Sequence, residues 1–158
     1  MEKNRLDELI EKSIALELNA AGLYKLFSEA LPDDADFWWK LHLEEKSHAS
    51  LIRAAKESFL KRGKFPYDIV ADSIDELKKS NAKTLETIEK YKAVKPTRQE
   101  ACKVAIALEN ESGECHYMKF MEKDAETVVE TVFQQLNRGD KDHERRIREH
   151  LDSLAIES

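Results

Sequence analysis

Glycine and proline are scarce in this sequence, with 4 and 3 copies among 158 residues. Few positions can therefore form tight turns, which favours long helices with few loops over a sheet-rich fold. Hydrophobic residues make up 41% of the chain, and its length is enough for one domain with a real core. The sequence predicts an all-α fold in a single domain over residues 1–158.

Long apolar segments are also lacking. No run approaches the ~18–20 residues that span a membrane, and the charged stretch 1–5 does not lead into the apolar core of a signal peptide. The net charge is −6, and acidic and basic residues are intermixed along the chain, which argues against nucleic acid as a partner. We therefore expect a cytoplasmic protein that binds neither a membrane nor a nucleic acid.

Cysteine occurs only at Cys102 and Cys115, and the sequence contains no CxxC pair. A thiolate metal site is therefore not visible. Both cysteines lie in one predicted helix that would hold them ~20 Å apart, too far for a disulfide bond within the chain. Two free thiols fit a reducing cytosol, and we interpret both as helix-packing residues.

Hydrophobic residues recur at three- and four-residue steps in four segments, which is typical of amphipathic helices. Pro32 would end the first helix, and a capping box at Thr97 and Glu100 opens the third. In the fourth, Gly139 either weakens the helix by ~1 kcal/mol relative to alanine or breaks it, with Asp140 as a new N-cap. The four predicted helices cover residues 4–29, 33–63, 97–123 and 125–154.

Residues 64–96 form a long connection between the second and third of these helices. A capping-box pattern at Ser73 and Glu76 predicts a helix within it, continuous or interrupted near Asn81. Such a helix could return the chain over the ~42 Å length of the second helix, so that the third starts at the same end as the second. The alternative is that this segment is itself one of the bundle helices.

Four acidic residues interrupt the apolar stripes of the four predicted helices. Burying one ionised carboxylate without a partner costs several kcal/mol, and four close together would also repel one another. No lysine or arginine lies near the acids on these stripes. Two divalent cations would neutralise the set, because four carboxylates and two doubly charged ions sum to zero when the histidines are neutral. The four acids are Glu17, Glu45, Glu109 and Asp140.

Histidines accompany two of these acids at the spacing that a shared metal ion needs. His48 follows Glu45 by three residues and His143 follows Asp140 by three, so each pair lies one turn apart on the same helix face. The resulting mixture of oxygen and nitrogen ligands suits iron or manganese. Ferritin-like di-iron and di-manganese proteins use this arrangement, with a Glu from each of two helices and Glu-x-x-His from each of the other two.

The chain resembles the rubrerythrin-like branch of these ferritin-like proteins over nearly its whole length. In that branch each lone glutamate is followed after seven or eight residues by a tyrosine near the metals, and here Tyr24 and Tyr117 stand at those positions. The resemblance implies a four-helix bundle with a long crossover, containing an extra helix, between its second and third helices. It also implies a centre of two iron ions, with manganese or a mixed pair as alternatives. The implied metal ligands are Glu17, Glu45, His48, Glu109, Asp140 and His143, and the two tyrosines would orient ligands or donate protons.

The activity that the resemblance implies is reduction of hydrogen peroxide or dioxygen, in defence against oxidative stress. The electrons would come from a separate donor protein, because the chain lacks the CxxC pairs of a rubredoxin-type domain. The chain departs from the family pattern at two positions. Asp140 stands where glutamate is usual, and Ser112 stands where peroxide-reducing members carry a second glutamate. The alternative functions are iron oxidation and sequestration without peroxide turnover, and a metal-free helical scaffold.

Trp38 and Trp39 are adjacent on one predicted helix, so they point in different directions. With Trp38 in the core, Trp39 and Leu43 one turn on would form an exposed apolar strip. We expect a homodimer contact there, because rubrerythrin-like proteins commonly dimerise. The alternative is that the 64–96 segment covers the strip.

Overall fold

The structure is a computed structural model that describes residues 2–61, 67–111 and 128–157. These residues are all-helical apart from short connections, which confirms the predicted fold class. No helix in this part of the chain is both long and apolar enough to cross a membrane. The described elements are α1 (Glu2–Ala30), a 3₁₀ turn (Pro32–Asp34), α2 (Ala35–Lys61), α3 (Tyr67–Ala93), α4 (Arg98–Glu111) and α5 (Val128–Glu157).

Two predicted helix boundaries have a clear local cause. Pro32 begins the 3₁₀ turn, and since it lacks an N–H it cannot continue the hydrogen bonding of α1. At the start of α4, Oγ1 of Thr97 accepts a hydrogen bond at 3.0 Å from the backbone N–H of Glu100. This bond is the N-cap half of the predicted capping box, and it satisfies a donor that has no partner within the helix.

α1 and α2 pack against each other in opposite directions. Lys56 of α2 binds Glu11 of α1 at 2.7 Å, whereas Nδ1 of His42, earlier in α2, lies 2.8 Å from the backbone oxygen of Ala21, later in α1. The short 3₁₀ connection explains this arrangement, because it leaves no length in which the chain could return to the start of α1.

α3 runs parallel to α1, since Lys78 pairs with Glu8 near one end and Tyr91 packs on Phe27 near the other. It begins at Tyr67 and is continuous to Ala93, so both the predicted start at Ser73 and the alternative interruption near Asn81 are wrong. The buried Asn81 amide donates to the backbone oxygens of Leu77 and Lys12, and its oxygen accepts from Asn19. These bonds to α1 satisfy the polar side chain within the helix.

α4 and α5 run in opposite directions. Near one end, the buried Asp34 carboxylate accepts hydrogen bonds from Arg98 of α4 at 2.8 and 2.7 Å and from His150 of α5 at 3.0 Å. Toward the other end, Glu109 and His143 approach to 3.5 Å. Hydrogen bonding by Arg98 holds the pKa of Asp34 below its usual value. Because α2 also begins beside Asp34, α2 and α4 point the same way.

Gly139 lies inside α5, which is unbroken from Val128 to Glu157. The alternative in which Asp140 caps a new helix after Gly139 is therefore wrong. Packing explains the continuity, because His143 and Ile147 beyond the glycine are buried against the other helices. Tertiary packing of an apolar face contributes more to a helix in a protein than the propensity of one residue.

The core lies among the five helices that the structure describes. Tyr24, Phe27 and Trp38 are fully buried, with the centroids of the first two rings 5.5 and 5.0 Å from that of Trp38. Cys102 is a buried free thiol, and burial raises its pKa to about 12. It therefore stays protonated and packs as a small apolar residue. Cys115 lies outside the described residues.

The apolar strip on α2 is exposed. Trp39 and Leu43 retain 44% and 47% of their accessible surface. α3 packs along α1 and leaves both side chains about half exposed, so the alternative of coverage by the 64–96 segment is wrong for the described part of that segment, residues 67–96.

Candidate metal centre

Five of the six predicted metal ligands meet inside the bundle. Each of four helices supplies at least one of them, from positions that face the core. All are buried except His48, whose side chain keeps 17% of its surface exposed. The five residues are Glu17 on α1, Glu45 and His48 on α2, Glu109 on α4 and His143 on α5.

Two predicted site residues lie outside this description. Asp140 is on α5 one turn before His143, but its side chain is outside the described residues. Tyr117 lies in the 112–127 segment, which is also outside them. Their roles as ligand and proton donor stay predictions.

Glu45 is at the centre of the cluster and faces both histidines. Its Oε1 accepts a hydrogen bond at 2.8 Å from Nδ1 of His143. Its Oε2 lies 3.6 Å from Nδ1 of His48. One carboxylate thus connects the α2 histidine with the α5 histidine.

Each of the other two acids lies beside one of the histidines. Oε2 of Glu17 lies 3.4 Å from Nδ1 of His48, and Oε1 of Glu109 lies 3.5 Å from Nδ1 of His143. The two imidazole rings stack with centroids 5.2 Å apart. The cluster therefore consists of two half-sites that share Glu45: one with Glu17 and His48, the other with Glu109 and His143.

Metal binding fits an unusual feature of His48. Its buried Nδ1 makes no well-formed hydrogen bond, although the carboxylates of Glu17 and Glu45 lie 3.4 and 3.6 Å from it. Buried polar atoms rarely remain without such a bond. Glu45, His48 and His143 each offer a ligand atom within 4.8 Å of the other two. These three groups could hold a metal ion, and their oxygen and nitrogen atoms suit iron, manganese or zinc.

Three residues of the metal-free cluster have raised pKa values. Burial, aided by the charge of Glu45, raises the pKa of Glu17 to about 8. Burial alone would lower the pKa of both histidines, but the neighbouring carboxylates outweigh it. Glu17 and Glu45 raise the pKa of His48 to about 11, and Glu109 and Glu45 raise that of His143 to about 10. At neutral pH, bound protons therefore supply the positive charge that a metal cation would otherwise supply.

Tyr24 contacts one of the acids directly. Its side chain is fully buried, and its hydroxyl donates a 2.6 Å hydrogen bond to Oε1 of Glu109. Such a hydrogen bond fixes the orientation of the carboxyl group. The family resemblance implies a position near the metals for Tyr24, and the structure places its hydroxyl against Glu109 of the cluster.

Glu44 and Arg146 form an ion pair next to His143, and sequence reasoning missed this pair. Oε1 of Glu44 lies 3.9 Å from Nε2 of His143. The Arg146 guanidinium donates to both oxygens of Glu44 at 2.8 and 2.9 Å. This pair places a carboxylate near Nε2 of His143, whereas Nδ1 of the same ring faces Glu45. No apolar stripe contains either residue, so the sequence offered no signal for it.

Two further histidines have structural partners instead. His42 contacts the backbone oxygen of Ala21, and His150 bonds to Asp34 and stacks on Phe37 with centroids 4.1 Å apart. Neither of these partners belongs to the cluster. His116 lies outside the described residues.

Comparisons of this chain with protein-family models, with curated proteins and with solved structures found no match. The residues of the cluster and the directions of the helices are therefore the basis for a functional assignment.

Proposed function

We propose that this chain is a ferritin-like di-iron protein similar to rubrerythrins. The observation that carries the proposal is the convergence of Glu17, Glu45, His48, Glu109 and His143 from four helices into one buried cluster. The parallel directions of α2 and α4, with α3 returning the chain between them, also support it. Such a path is what the long crossover of a ferritin-like bundle would require.

The donor set favours two ions over one. Each half-site has its own histidine and its own outer glutamate, and Glu45 faces both. With Asp140 as a further ligand, four carboxylates would balance two divalent cations. Iron suits this mixture of ligands, and manganese or a mixed pair is the alternative.

The proposed activity is two-electron reduction of hydrogen peroxide or dioxygen, which a pair of iron ions can supply when bound. Electrons would come from a separate donor protein, as the resemblance to rubrerythrins implies. The chain's own residues would hold and orient the ligands. Tyr24 would keep the Glu109 carboxylate in place through its 2.6 Å hydrogen bond and is a proton source beside it.

Metal content is the first test. Protein purified without chelator and loaded anaerobically with Fe(II) should hold about two ions per chain, because two half-sites are present. Elemental analysis after desalting gives the ratio. A ratio clearly below one would overturn the proposed centre.

Peroxide consumption then separates the two iron functions. Repeated turnover with a supplied reductase and hydrogen peroxide supports the peroxidase. A single oxidation, stoichiometric with bound iron and without further turnover, supports iron oxidation and sequestration instead. A chain from which iron has been removed by chelation is the matched control, and turnover by that chain would contradict an iron-dependent activity.

We also propose that the exposed α2 strip is a homodimer contact. Trp39 and Leu43 lie one turn apart and are about half exposed, and burying such side chains between two copies is favourable. Trp39→Glu should therefore convert a dimer to a monomer in sedimentation. Leu85→Glu, at a leucine on α3 that is 50% exposed, should leave the dimer intact. A Trp39→Glu protein that stays dimeric would rule out this contact.

A further inference from the structure

Gly139 on α5 lies against the ring of His48 on α2. A Cβ atom added at Gly139 would lie 2.8 Å from both Cε1 and Nε2 of His48. Such distances are well below van der Waals contact, so any side chain at this position would require the ring to move. Gly139 therefore provides the space that His48 occupies.

Contacts on several sides define the orientation of the His48 ring. Its Cε1–Nε2 edge faces α5, while Nδ1 is directed at Glu17 and Glu45. The face of the ring stacks on His143. A displacement away from residue 139 would therefore change the position of Nδ1 relative to both carboxylates.

Backbone geometry does not explain the glycine. Gly139 lies within a continuous helix and has no left-handed φ, so an L residue would fit the backbone. Glycine inside a helix also lowers stability relative to alanine. The close approach of His48 is the remaining reason for a glycine here.

We propose that Gly139 is a positioning residue for the metal ligand His48: the missing side chain on α5 lets the imidazole reach the position from which Nδ1 faces Glu17 and Glu45. This inference rests on the proposed metal centre and adds to it a residue without any ligand atom. The position of His48 in its half-site would then depend on a residue of α5.

The chain offers a matched control in Gly22, which lies inside α1. A Cβ there would lie 3.8 Å from Cδ1 of Ile88, an ordinary contact. Titration of the metal-free protein with Co²⁺, followed by visible absorption, compares the two sites. Gly139→Ala should weaken Co²⁺ binding by about tenfold or more, and Gly22→Ala should bind Co²⁺ as the unmodified chain does.

A stability cycle without metal provides a second readout. Gly22→Ala should raise Tm by about 2–4 °C, as removal of a helical glycine does, whereas Gly139→Ala should lower it. In a His48→Ala background the ring is gone, so Gly139→Ala should raise Tm like Gly22→Ala.

The outcomes distinguish this inference from the metal centre itself. If Gly139→Ala binds Co²⁺ normally, or raises Tm while His48 is present, the positioning role is wrong and the metal centre stands. If the unmodified chain binds no Co²⁺, the metal centre is wrong. In that case the Tm values of the stability cycle would still show whether Gly139 provides space for His48.

Discussion

The Glu45→Gln protein should bind much less metal than the unmodified chain. Iron content after anaerobic loading should fall from about two ions per chain to fewer than one, and the affinity for any remaining ion should drop on the order of 100-fold. Glutamine has nearly the same shape as glutamate, so the loss would come from charge and ligand chemistry rather than from a cavity.

The central position of Glu45 is the reason for so large an effect. One of its oxygens is 2.8 Å from Nδ1 of His143 and the other is 3.6 Å from Nδ1 of His48. An amide offers one neutral oxygen and an NH₂ group that repels a cation. Both half-sites would therefore lose a negative ligand at once, whereas loss of Glu17 or Glu109 would weaken one half-site directly.

Glu89→Gln provides the control for the loss of one negative charge. Glu89 is exposed on α3 and pairs with Lys92 at the surface, where such a pair contributes little. Its metal content should equal that of the unmodified chain. Equal metal content in Glu45→Gln and Glu89→Gln would exclude Glu45 as a ligand.

Much of the site could be predicted from sequence because a buried acid appears there as an acidic residue within an apolar stripe. Glu17, Glu45 and Glu109 occupy positions in apolar stripes at helical spacing, and the structure buries all three. The helix-two pair, Glu45 and His48, is also local, since residues three apart share a helix face. Such features depend on one helix at a time.

Contacts between helices could not be predicted from a pattern of this kind. The approach of His48 to Gly139 and the pairing of Glu44 with Arg146 depend on how α2 and α5 are rotated and aligned against each other. Spacing within one helix does not contain that information. The Asn81 amide is a similar case, because its bonds to α1 keep a polar residue inside a helix that the sequence allowed to break.

The start of α3 shows a different limit. The Ser73–Glu76 pair matches a capping box, yet the helix begins at Tyr67. Serine and glutamate at this spacing also occur inside helices, where the serine need not cap anything. A capping pattern indicates a helix nearby better than it fixes the first residue.

Metal binding should depend steeply on pH, and the direction follows from the raised pKa values in the metal-free cluster. His48, His143 and Glu17 have pKa values of about 11, 10 and 8, so all three hold a proton at pH 7. A metal ion needs neutral imidazole and ionised carboxylate. Loading both half-sites should therefore release about three protons per chain.

Affinity should accordingly rise with pH and fall with acid. With three protons displaced, the overall binding constant for two ions should change by about a thousandfold per pH unit below pH 8. The dependence should weaken above pH 8, where Glu17 has already lost its proton. The histidines would still contribute until the pH passes their own raised pKa values.

Proton release can be measured directly by adding Co²⁺ to weakly buffered, metal-free protein at pH 7 and back-titrating with base. Glu17→Gln is the informative variant, because it removes one of the three protons and leaves Glu45, Glu109 and His143 in place. It should release clearly fewer protons than the unmodified chain. Binding of two ions without proton release would mean that these carboxylates and imidazoles are not the ligands, since protons and metal would then not compete for the same atoms.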